Sequence, residues 1–229
     1  MDSLLRTAHT LVRGSILIQP PAQRQVSRLR NHDTTRAEIA RAAIRAFLRG
    51  GFENTTVDDI AAAAGISRRT YFRYFSSKDE SLLSGMQEVG LSIADAFRRV
   101  PPSVPPLIAL RDAYLEIEAA LSEFPERQRA LARMLRSNPR VHGALLLVQL
   151  EWIEEFADGL AARRPGGEEV PTDYLLAHAA TDAWNLAVNR WLDDPGGPSL
   201  RERATDAFAV LMTLMPEQAG GGAYTPEHP

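Results

Sequence analysis

The chain has 229 residues, of which 45% are hydrophobic and 24% charged, a composition typical of one large or two modest soluble domains. No run of eighteen apolar residues predicts a membrane span, and the longest N-terminal apolar stretch, residues 16–18, is too short for a signal peptide, so a cytoplasmic protein is expected. The absence of cysteine excludes disulfides, zinc–thiolate sites and thiol chemistry.

The net charge of −3 is unevenly distributed along the chain. Residues 1–78 contain thirteen basic and six acidic residues, a net charge of +7, whereas residues 79–229 contain thirteen and twenty-three, a net charge of −10. A basic third attached to an acidic remainder is typical of a protein that binds a polyanion. A solvated basic face is the alternative.

The first 32 residues carry five arginines and a single acid, Asp2. Pro20 and Pro21 argue against a helix here, so residues 1–32 are predicted to form a flexible basic arm. Two interpretations remain open. The arm enters a minor groove of DNA, as flexible arginine-bearing arms do, or it is an ordinary disordered terminus.

A helix is predicted to begin at Thr35. Thr35 and Glu38 form the capping-box pattern, and apolar residues then recur at helical spacing as far as Leu48. Gly50 and Gly51 end this helix, and Phe52 is expected to anchor the next loop in a small core.

Residues 56–80 predict two short helices joined by a tight turn. Thr56 and Asp59 supply the cap and an acid for a helix over residues 57–64. Gly65 provides the positive φ that helix C-termini favour, and Ser67 can cap a second helix over residues 68–75. A helix, a turn with glycine and a second helix form the helix-turn-helix pattern.

The second of these helices has a first turn that suits DNA recognition. It carries Arg68, Arg69 and Thr70 without an acid, although a helix N-terminus prefers negative charge, and such a local conflict indicates function. The N-terminal residues of recognition helices reach base edges in the major groove, where an arginine can bind guanine bidentately.

Four aromatic residues follow in the same helix, more than so short a helix can bury. We predict that Tyr71 and Phe75 pack inward and that Phe72 and Tyr74 flank the groove.

Lys78 is the only lysine in the chain and directly follows this helix. Beside the hydroxyls of Ser76 and Ser77, its ammonium suits a phosphate contact. The alternative is a solvated helix cap, because Ser77 and Glu80 also form a capping-box pattern. The two roles are compatible.

Residues 35–83, with GISRRTYFRYFSSKDESLL at their centre, resemble the DNA-binding domain of the tetracycline-repressor (TetR) family. G-I-S, T-aromatic-aromatic, aromatic-F and S-K-D/E all fall at the family's spacing. The resemblance implies an all-α protein of about nine helices, with a helix-turn-helix DNA-binding domain over residues 33–80. A ligand-binding and dimerisation domain would then occupy residues 81–216, followed by a disordered tail over residues 217–229.

The resemblance and the pattern together assign DNA contacts to Thr56, Ser67, Arg68, Arg69, Thr70, Phe72, Arg73, Tyr74 and Lys78. The family pattern implies base or backbone contacts for the first turn of the second helix, and phosphate contacts for Thr56, Tyr74 and Lys78. Phe72 stands where the family usually has tyrosine. We therefore expect Phe72 to touch a thymine methyl and Arg73 to replace the lost phosphate contact.

The remaining sequence predicts six more helices. Apolar residues recur every three or four positions over residues 77–100, which predicts one long helix, and four prolines in residues 101–106 end it. Further helices are predicted over residues 107–123, 125–136, 139–163, 172–193 and 199–215. Within the segment 139–163, residues 145–160 are apolar nearly all round, as a helix buried in a bundle is.

The last two helices carry many apolar residues: Trp184, Ala187, Val188, Trp191, Ala204, Phe208, Leu211 and Met215. An exposed apolar patch of that size usually marks association, and ordinary intrachain core is the alternative. The resemblance implies a four-helix interface in a homodimer. Because the two recognition helices of a dimer must meet successive major grooves, a palindromic DNA operator is the expected partner.

Aromatic, sulfur and polar side chains on apolar helices are typical of small-molecule pockets. The candidate ligand-binding residues are Tyr114, Met134, His142, Gln149, Trp152, Phe156, Trp184 and Asn185, and ordinary core packing is the alternative for each. The segments MLRSNPRVHGALLLVQLEWIEEFADGLAARR and AWNLAVNRWL resemble actinobacterial members grouped with mycofactocin regulators, which implies an acyl-CoA-like or other lipophilic effector.

No catalytic residue, metal ligand set or cofactor is predicted. The chain lacks the G-x-S-x-G, GKS/GKT and H-E-x-x-H motifs, and His178 with Asp182 offers too few ligands for a metal. The expected function is a sequence-specific DNA-binding transcriptional regulator, with repression implied by the family. The alternatives are an architectural protein that binds DNA without sequence preference, or a helical enzyme or carrier with a vestigial DNA-binding domain.

Overall fold

Nine α-helices and no β-strand are present in the residues that the computed structural model describes, namely 21–168 and 170–215, with side chains from residue 33 onward. The helices are α1 (Pro21–Gly50), α2 (Val57–Ala63), α3 (Arg68–Tyr74), α4 (Lys78–Arg99), α5 (Pro106–Leu121), α6 (Pro125–Ser137), α7 (Pro139–Ala161), α8 (Pro171–Asp193) and α9 (Leu200–Leu214). This confirms the predicted all-α class, and the bounds of α2 to α9 agree closely with the predicted ones.

Helix α1 begins at Pro21 and not at Thr35. Proline is well tolerated at the first helical position, where its missing N–H would have no partner, so Pro21 starts a helix that it was predicted to prevent. Thr35 lies inside α1 and does not cap it. The flexible arm was predicted over residues 1–32, but residues 21–32 are helical. Residues 1–20 of the predicted arm and the predicted tail over residues 217–229 lie outside the described residues.

Residues 37–77, here called the head, enclose a small apolar core. α1 contributes Ile39 and Phe47, α2 contributes Ile60, and α3 contributes Tyr71 and its C-cap Phe75, all of them buried. The centre of the Phe52 ring lies 5.0 Å from that of Phe47. Phe52 thus anchors the loop between α1 and α2, as predicted.

Helix α4 contributes to the core of the head and to that of residues 78–215, here called the body. Its residue Leu82 is buried in the first core and Phe97 in the second. Two glycines on α4 set close contacts. A Cβ at Gly85 would lie 2.5 Å from Cγ1 of Ile44 on α1, and one at Gly90 would lie 2.0 Å from Nε1 of Trp152 on α7.

The body core is organised around Tyr114 of α5. Its ring centre lies 5.7 Å from that of Phe156 on α7, 5.1 Å from Trp184 on α8 and 5.9 Å from Phe208 on α9. Its hydroxyl lies 3.2 Å from Oγ1 of Thr181. Burial raises the pKa of Tyr114, so this phenol stays neutral and four helices meet at one uncharged aromatic residue. Across the described part of the chain, no helix is long and apolar enough to cross a membrane.

Candidate nucleic-acid interface and interior cavity

Both helices of the helix-turn-helix are capped as predicted. Asp59 N donates to Thr56 Oγ1 over 3.2 Å, while Asp59 Oδ2 accepts from the backbone N–H and the hydroxyl of Thr56. These bonds, that of the hydroxyl above all, lower the pKa of Asp59. Ser67 Oγ accepts from Thr70 N over 3.1 Å. Between the helices, Gly65 has a φ of +67°, a conformation that L side chains rarely adopt.

The aromatic residues of α3 divide between interior and surface. Tyr71 and Phe75 are buried, and the Tyr71 hydroxyl donates to the carbonyl of Ser77 over 2.9 Å. Phe72 is 46% exposed and Tyr74 is partly exposed. The predicted inward and outward positions are confirmed, and the core packing fixes the direction in which α3 presents its other face.

The outward face of α3 is basic and aromatic. Arg68, Arg69 and Arg73 are exposed. Arg68 Nη1 lies 2.8 Å from Oδ2 of Asp58, and its guanidinium carbon lies 5.1 Å from the centre of the Phe72 ring. Arg73 donates to the Tyr74 hydroxyl over 3.1 Å. The surface therefore offers guanidinium donors beside an exposed apolar ring, which are the groups that contact guanine edges, thymine methyls and phosphates.

Lys78 has an intrachain role that the sequence did not indicate. Its ammonium donates to the carbonyls of Phe52 over 2.9 Å and Glu53 over 3.4 Å, and lies 4.3 Å from the centre of the Phe52 ring. Lys78 therefore fastens the start of α4 to the loop before α2. Its contact with a phosphate stays a prediction.

A cavity of about 310 Å³ lies within the body and reaches α1 of the head. Six of the eight candidate ligand-binding residues line it: Tyr114, His142, Gln149, Trp152, Trp184 and Asn185. Met134 and Phe156 do not line it. Met134 packs against the head-side core, and Phe156 is fully buried beside Tyr114.

The sequence did not indicate several residues that line the cavity. Ile44 and Leu48 come from α1, which was assigned to DNA binding alone, and Met86 and Val89 come from α4. Glu118 of α5 also lines the cavity although it is an acid. A sequence pattern shows which face of a helix is apolar but not which apolar faces leave a gap between them.

Polar side chains are a minority of those that line the cavity. Gln149 Nε2 donates to Asn185 Oδ1 over 3.0 Å, and Asn185 Nδ2 donates to Gln149 Oε1 over 3.2 Å. Oε2 of the buried Glu118 lies 3.2 Å from Nη2 of Arg201, close enough for an ion pair but without the geometry of a hydrogen bond. The buried Nε1 of Trp152 has no hydrogen-bond acceptor among the described residues, so it is an available donor beside the cavity.

The predicted dimer residues of α8 and α9 lie largely inside the chain. Ala187, Trp191, Ala204 and Phe208 are buried, so the alternative of intrachain core is correct for them, because both helices pack against the rest of the body through this face. Large apolar side chains are exposed elsewhere on the two helices, at Tyr174, Leu175, Leu186, Val210 and Leu214.

His178 and Asp182 are both exposed on α8. Among the described residues, no group of three or more His, Asp or Glu side chains is placed to hold a metal ion.

Two family models match the chain. The model of bacterial regulatory proteins of the tetR family matches residues 39–83, and that of the MftR C-terminal domain matches residues 104–216. The mycofactocin biosynthesis transcriptional regulator MftR of Mycobacterium tuberculosis is 33% identical over 201 residues, 83% of this chain and 95% of that protein. The transcriptional repressor KstR of Rhodococcus jostii is 25% identical over 193 residues, 84% of this chain and 86% of that protein.

The fold is also that of solved TetR-family structures. FadR of Thermus thermophilus, a transcriptional repressor crystallised with lauroyl-CoA, superimposes with a TM-score of 0.52 at 21% identity, over 85% of this chain and 99% of that one. The chain therefore belongs to the TetR family: it is a DNA-binding transcriptional regulator that joins a TetR-type helix-turn-helix to an MftR-type C-terminal domain.

Proposed function

We propose that this regulator acts in the cytoplasm as a repressor, by binding and not by catalysis. A homodimer holds a palindromic operator through α3 and leaves it when a small lipophilic effector enters the cavity. The observation that carries this proposal is the extent of the cavity, which is lined both by α1 of the head and by α4 to α9 of the body. One ligand can therefore touch α1 and α4, whose residues Phe47 and Leu82 pack in the same core as Tyr71 of α3.

The DNA contacts are assigned from exposure and chemistry. Arg68, Arg69 and Thr70 read base edges from the first turn of α3, and Phe72 contacts a thymine methyl. Phosphates are bound by Thr56, Ser67, Arg73, Tyr74 and Lys78. For Arg73 and Tyr74 the support is their shared position on the exposed face, where the guanidinium lies 5.0 Å from the phenol ring centre.

Release of DNA follows from unequal binding of the effector to two arrangements of the chain. Ile44 lines the cavity and also abuts Gly85 of α4, so a ligand that displaces Ile44 also displaces the contact between α1 and α4. A shift of the population from 1:99 to 99:1 requires that the effector bind the released arrangement about 5.5 kcal/mol more tightly.

The cavity supports a lipophilic effector of limited size. Its volume of 310 Å³ equals that of about ten molecules of liquid water, which suits a small ligand or the apolar part of a larger one. Most lining residues are aliphatic or aromatic, and the pair of Gln149 and Asn185 together with the Trp152 N–H offers orienting hydrogen bonds.

The homodimer is supported by the exposed apolar residues of α8 and α9. Leu175 is 62% exposed, Val210 61% and Leu214 74%, and unpaired apolar surface of this kind is typical of an association site. A two-fold axis here would present two copies of α3 to half-sites one helical turn apart, about 34 to 36 Å, or a multiple of it.

The DNA proposal is tested by selecting bound duplexes from a random library, with the oligomeric state measured in the same buffer. We expect a palindrome bound by a dimer. Binding that depends on salt without any selected motif would contradict the proposal and would support architectural DNA binding instead.

The effector proposal can be tested with the chain's own fluorophores. All three tryptophans, Trp152, Trp184 and Trp191, line the cavity. A panel of lipophilic compounds and acyl-CoAs is titrated, and we expect the ligand that changes tryptophan emission to release operator DNA at the same concentration. Emission changes without release would contradict the proposal.

A blocked cavity provides the matched control. Ala132 lines the cavity on α6, whereas Ala130 is exposed on the same helix. Ala132→Phe should bind the operator but no longer respond to the effector, and Ala130→Phe should respond as the wild type does.

A further inference from the structure

The first turn of α3 contains two arginines and no acid, which is unfavourable because the positive end of the helix dipole lies there. An acid reaches this turn from another helix. Oδ2 of Asp58, on α2, lies 2.8 Å from Nη1 of Arg68. The missing negative charge is therefore supplied across the helix-turn-helix.

Arg68 is held from two sides. Its Nη1 donates to Asp58, and its guanidinium carbon lies 5.1 Å from the centre of the Phe72 ring, within the range of a cation–π contact. The side chains of Arg68 and Asp58 are 57% and 64% exposed. The ion pair therefore lies at the surface that is proposed to face DNA.

Asp58 contributes only modestly to the fold: it lies in the first turn of α2, where an acid interacts favourably with the helix dipole. The capping box of α2 is formed by Thr56 and Asp59, and an ion pair this exposed contributes little to stability. A carboxylate on a DNA-binding surface also opposes phosphate binding. A carboxylate that opposes DNA affinity and stabilises the fold only modestly points to a role in selectivity.

We propose that Asp58 is a specificity-determining residue, which restricts Arg68 to reading a base edge. The inference rests on the proposed function, in which α3 reads an operator. Through Asp58, α2 would take part in sequence recognition, a role usually given to the recognition helix, here α3, alone.

The two kinds of DNA contact make different demands on Arg68. A guanidinium has five N–H donors, and Asp58 is bound by one on Nη1, so enough donors remain for O6 and N7 of guanine. A phosphate, in contrast, competes with Asp58 for the same charge. If Arg68 turns to a phosphate, the Asp58 carboxylate is left unpaired in the negative field of DNA. The ion pair therefore weakens non-specific binding more than operator binding.

The test compares two variants that remove one negative charge from the head. Asp58→Asn breaks the ion pair and nearly preserves the shape of the side chain. Glu53→Gln removes the same charge from an exposed loop position before α2. Affinities for the selected operator and for a scrambled duplex are measured at several salt concentrations, and melting temperatures establish that each variant is folded.

For Asp58→Asn we expect tighter binding to the scrambled duplex. The specificity ratio, which is the affinity for the operator divided by that for the scrambled duplex, should be about tenfold lower. This is near the lower end of the discrimination that one bidentate base contact supplies. Repeated selection should show a relaxed guanine preference at one position of each half-site. Glu53→Gln should raise both affinities alike and leave the ratio unchanged. Asp58→Glu, which keeps the charge, should retain most of the wild-type ratio.

The same change in a variant that lacks Arg68 tests whether Asp58 acts through the ion pair. In Arg68→Ala, the further change Asp58→Asn should leave the ratio unchanged, because the partner is already absent. An equal loss of ratio in Asp58→Asn and Glu53→Gln, or an undiminished effect in Arg68→Ala, would overturn the inference. A wild-type protein that selects no operator would overturn the proposed function as well, whereas an operator with an unchanged ratio in Asp58→Asn would overturn this inference alone.

Discussion

The surface proposed to face DNA and the cavity are built in opposite ways. The surface is made by neighbours in the sequence: its arginines and Phe72 lie within the seven residues of α3, and local caps set the ends of that helix. The cavity is lined by residues from seven helices, between Ile44 on α1 and Leu200 on α9. Single substitutions should therefore alter DNA binding without loss of stability, whereas most changes around the cavity should alter both.

Two phenylalanines of the head provide the strongest test of this difference. Phe75 is buried and Phe72 is 46% exposed. Phe75→Ala should lower the free energy of unfolding by about 3 to 5 kcal/mol, because a large cavity replaces its ring. Phe72→Ala should change it by no more than about 0.5 kcal/mol and should weaken operator binding. Denaturant unfolding measures the first effect, and equal losses of stability would contradict the assignment of inward and outward faces.

Two glycines test the packing of the body. A Cβ at Gly90 would lie 2.0 Å from Trp152 Nε1, whereas one at Gly143 on α7 meets nothing within 4 Å. Gly90→Ala should destabilise the chain by about 1 to 3 kcal/mol through overpacking and should shift the tryptophan emission. Gly143→Ala should stabilise it by up to about 1 kcal/mol through helix propensity. The melting temperatures of the two variants should therefore shift from that of the wild type in opposite directions.

Lys78 combines a structural contact with a predicted DNA contact, and one variant can separate them. Lys78→Ala removes the hydrogen bonds to the carbonyls of Phe52 and Glu53, which should lower the free energy of unfolding by about 1 kcal/mol. If Lys78 also binds a phosphate, affinity should fall about equally for all duplexes. The slope of the logarithm of affinity against the logarithm of salt concentration should also become shallower by about one. A lower stability with an unchanged salt dependence would leave only the structural role.

The smallest expected effect concerns pH and compares two equivalent caps. Hydrogen bonds from Thr56 and Ser199 lower the pKa of Asp59 in the head and of Glu202 in the body from their ordinary values of 3.8 and 4.5. A lowered pKa in the folded state means that each cap stabilises the chain fully above the ordinary value and that this stabilisation is lost as the pH falls through the folded value.

Asp59→Asn and Glu202→Gln should each flatten the acid side of a plot of unfolding free energy against pH. Only the change in the head should also alter operator affinity, because Asp59 is bonded to Thr56, a proposed phosphate contact. Unaltered acid unfolding in both variants would show that these caps do not contribute to it.

The successful predictions in the head rest on causes that act over a few residues. Thr56, Gly65 and Ser67 predicted the helix-turn-helix because caps and turns are determined within a few residues. The prediction that Pro21 prevents a helix was wrong for a local reason, since the effect of a proline depends on whether it stands inside a helix or at its first position.

The sequence by itself determined the helices α2 to α9, the resemblance to the TetR family and the basic character of α3, because these depend on residue order and short-range hydrogen bonds. Only the tertiary structure decided that Lys78 holds the loop before α2, that Asp58 pairs with Arg68, and that Met134 and Phe156 lie away from the cavity. The reason is that each of these depends on which helix faces meet. Helical periodicity shows which face of a helix is apolar, but it does not show its neighbour.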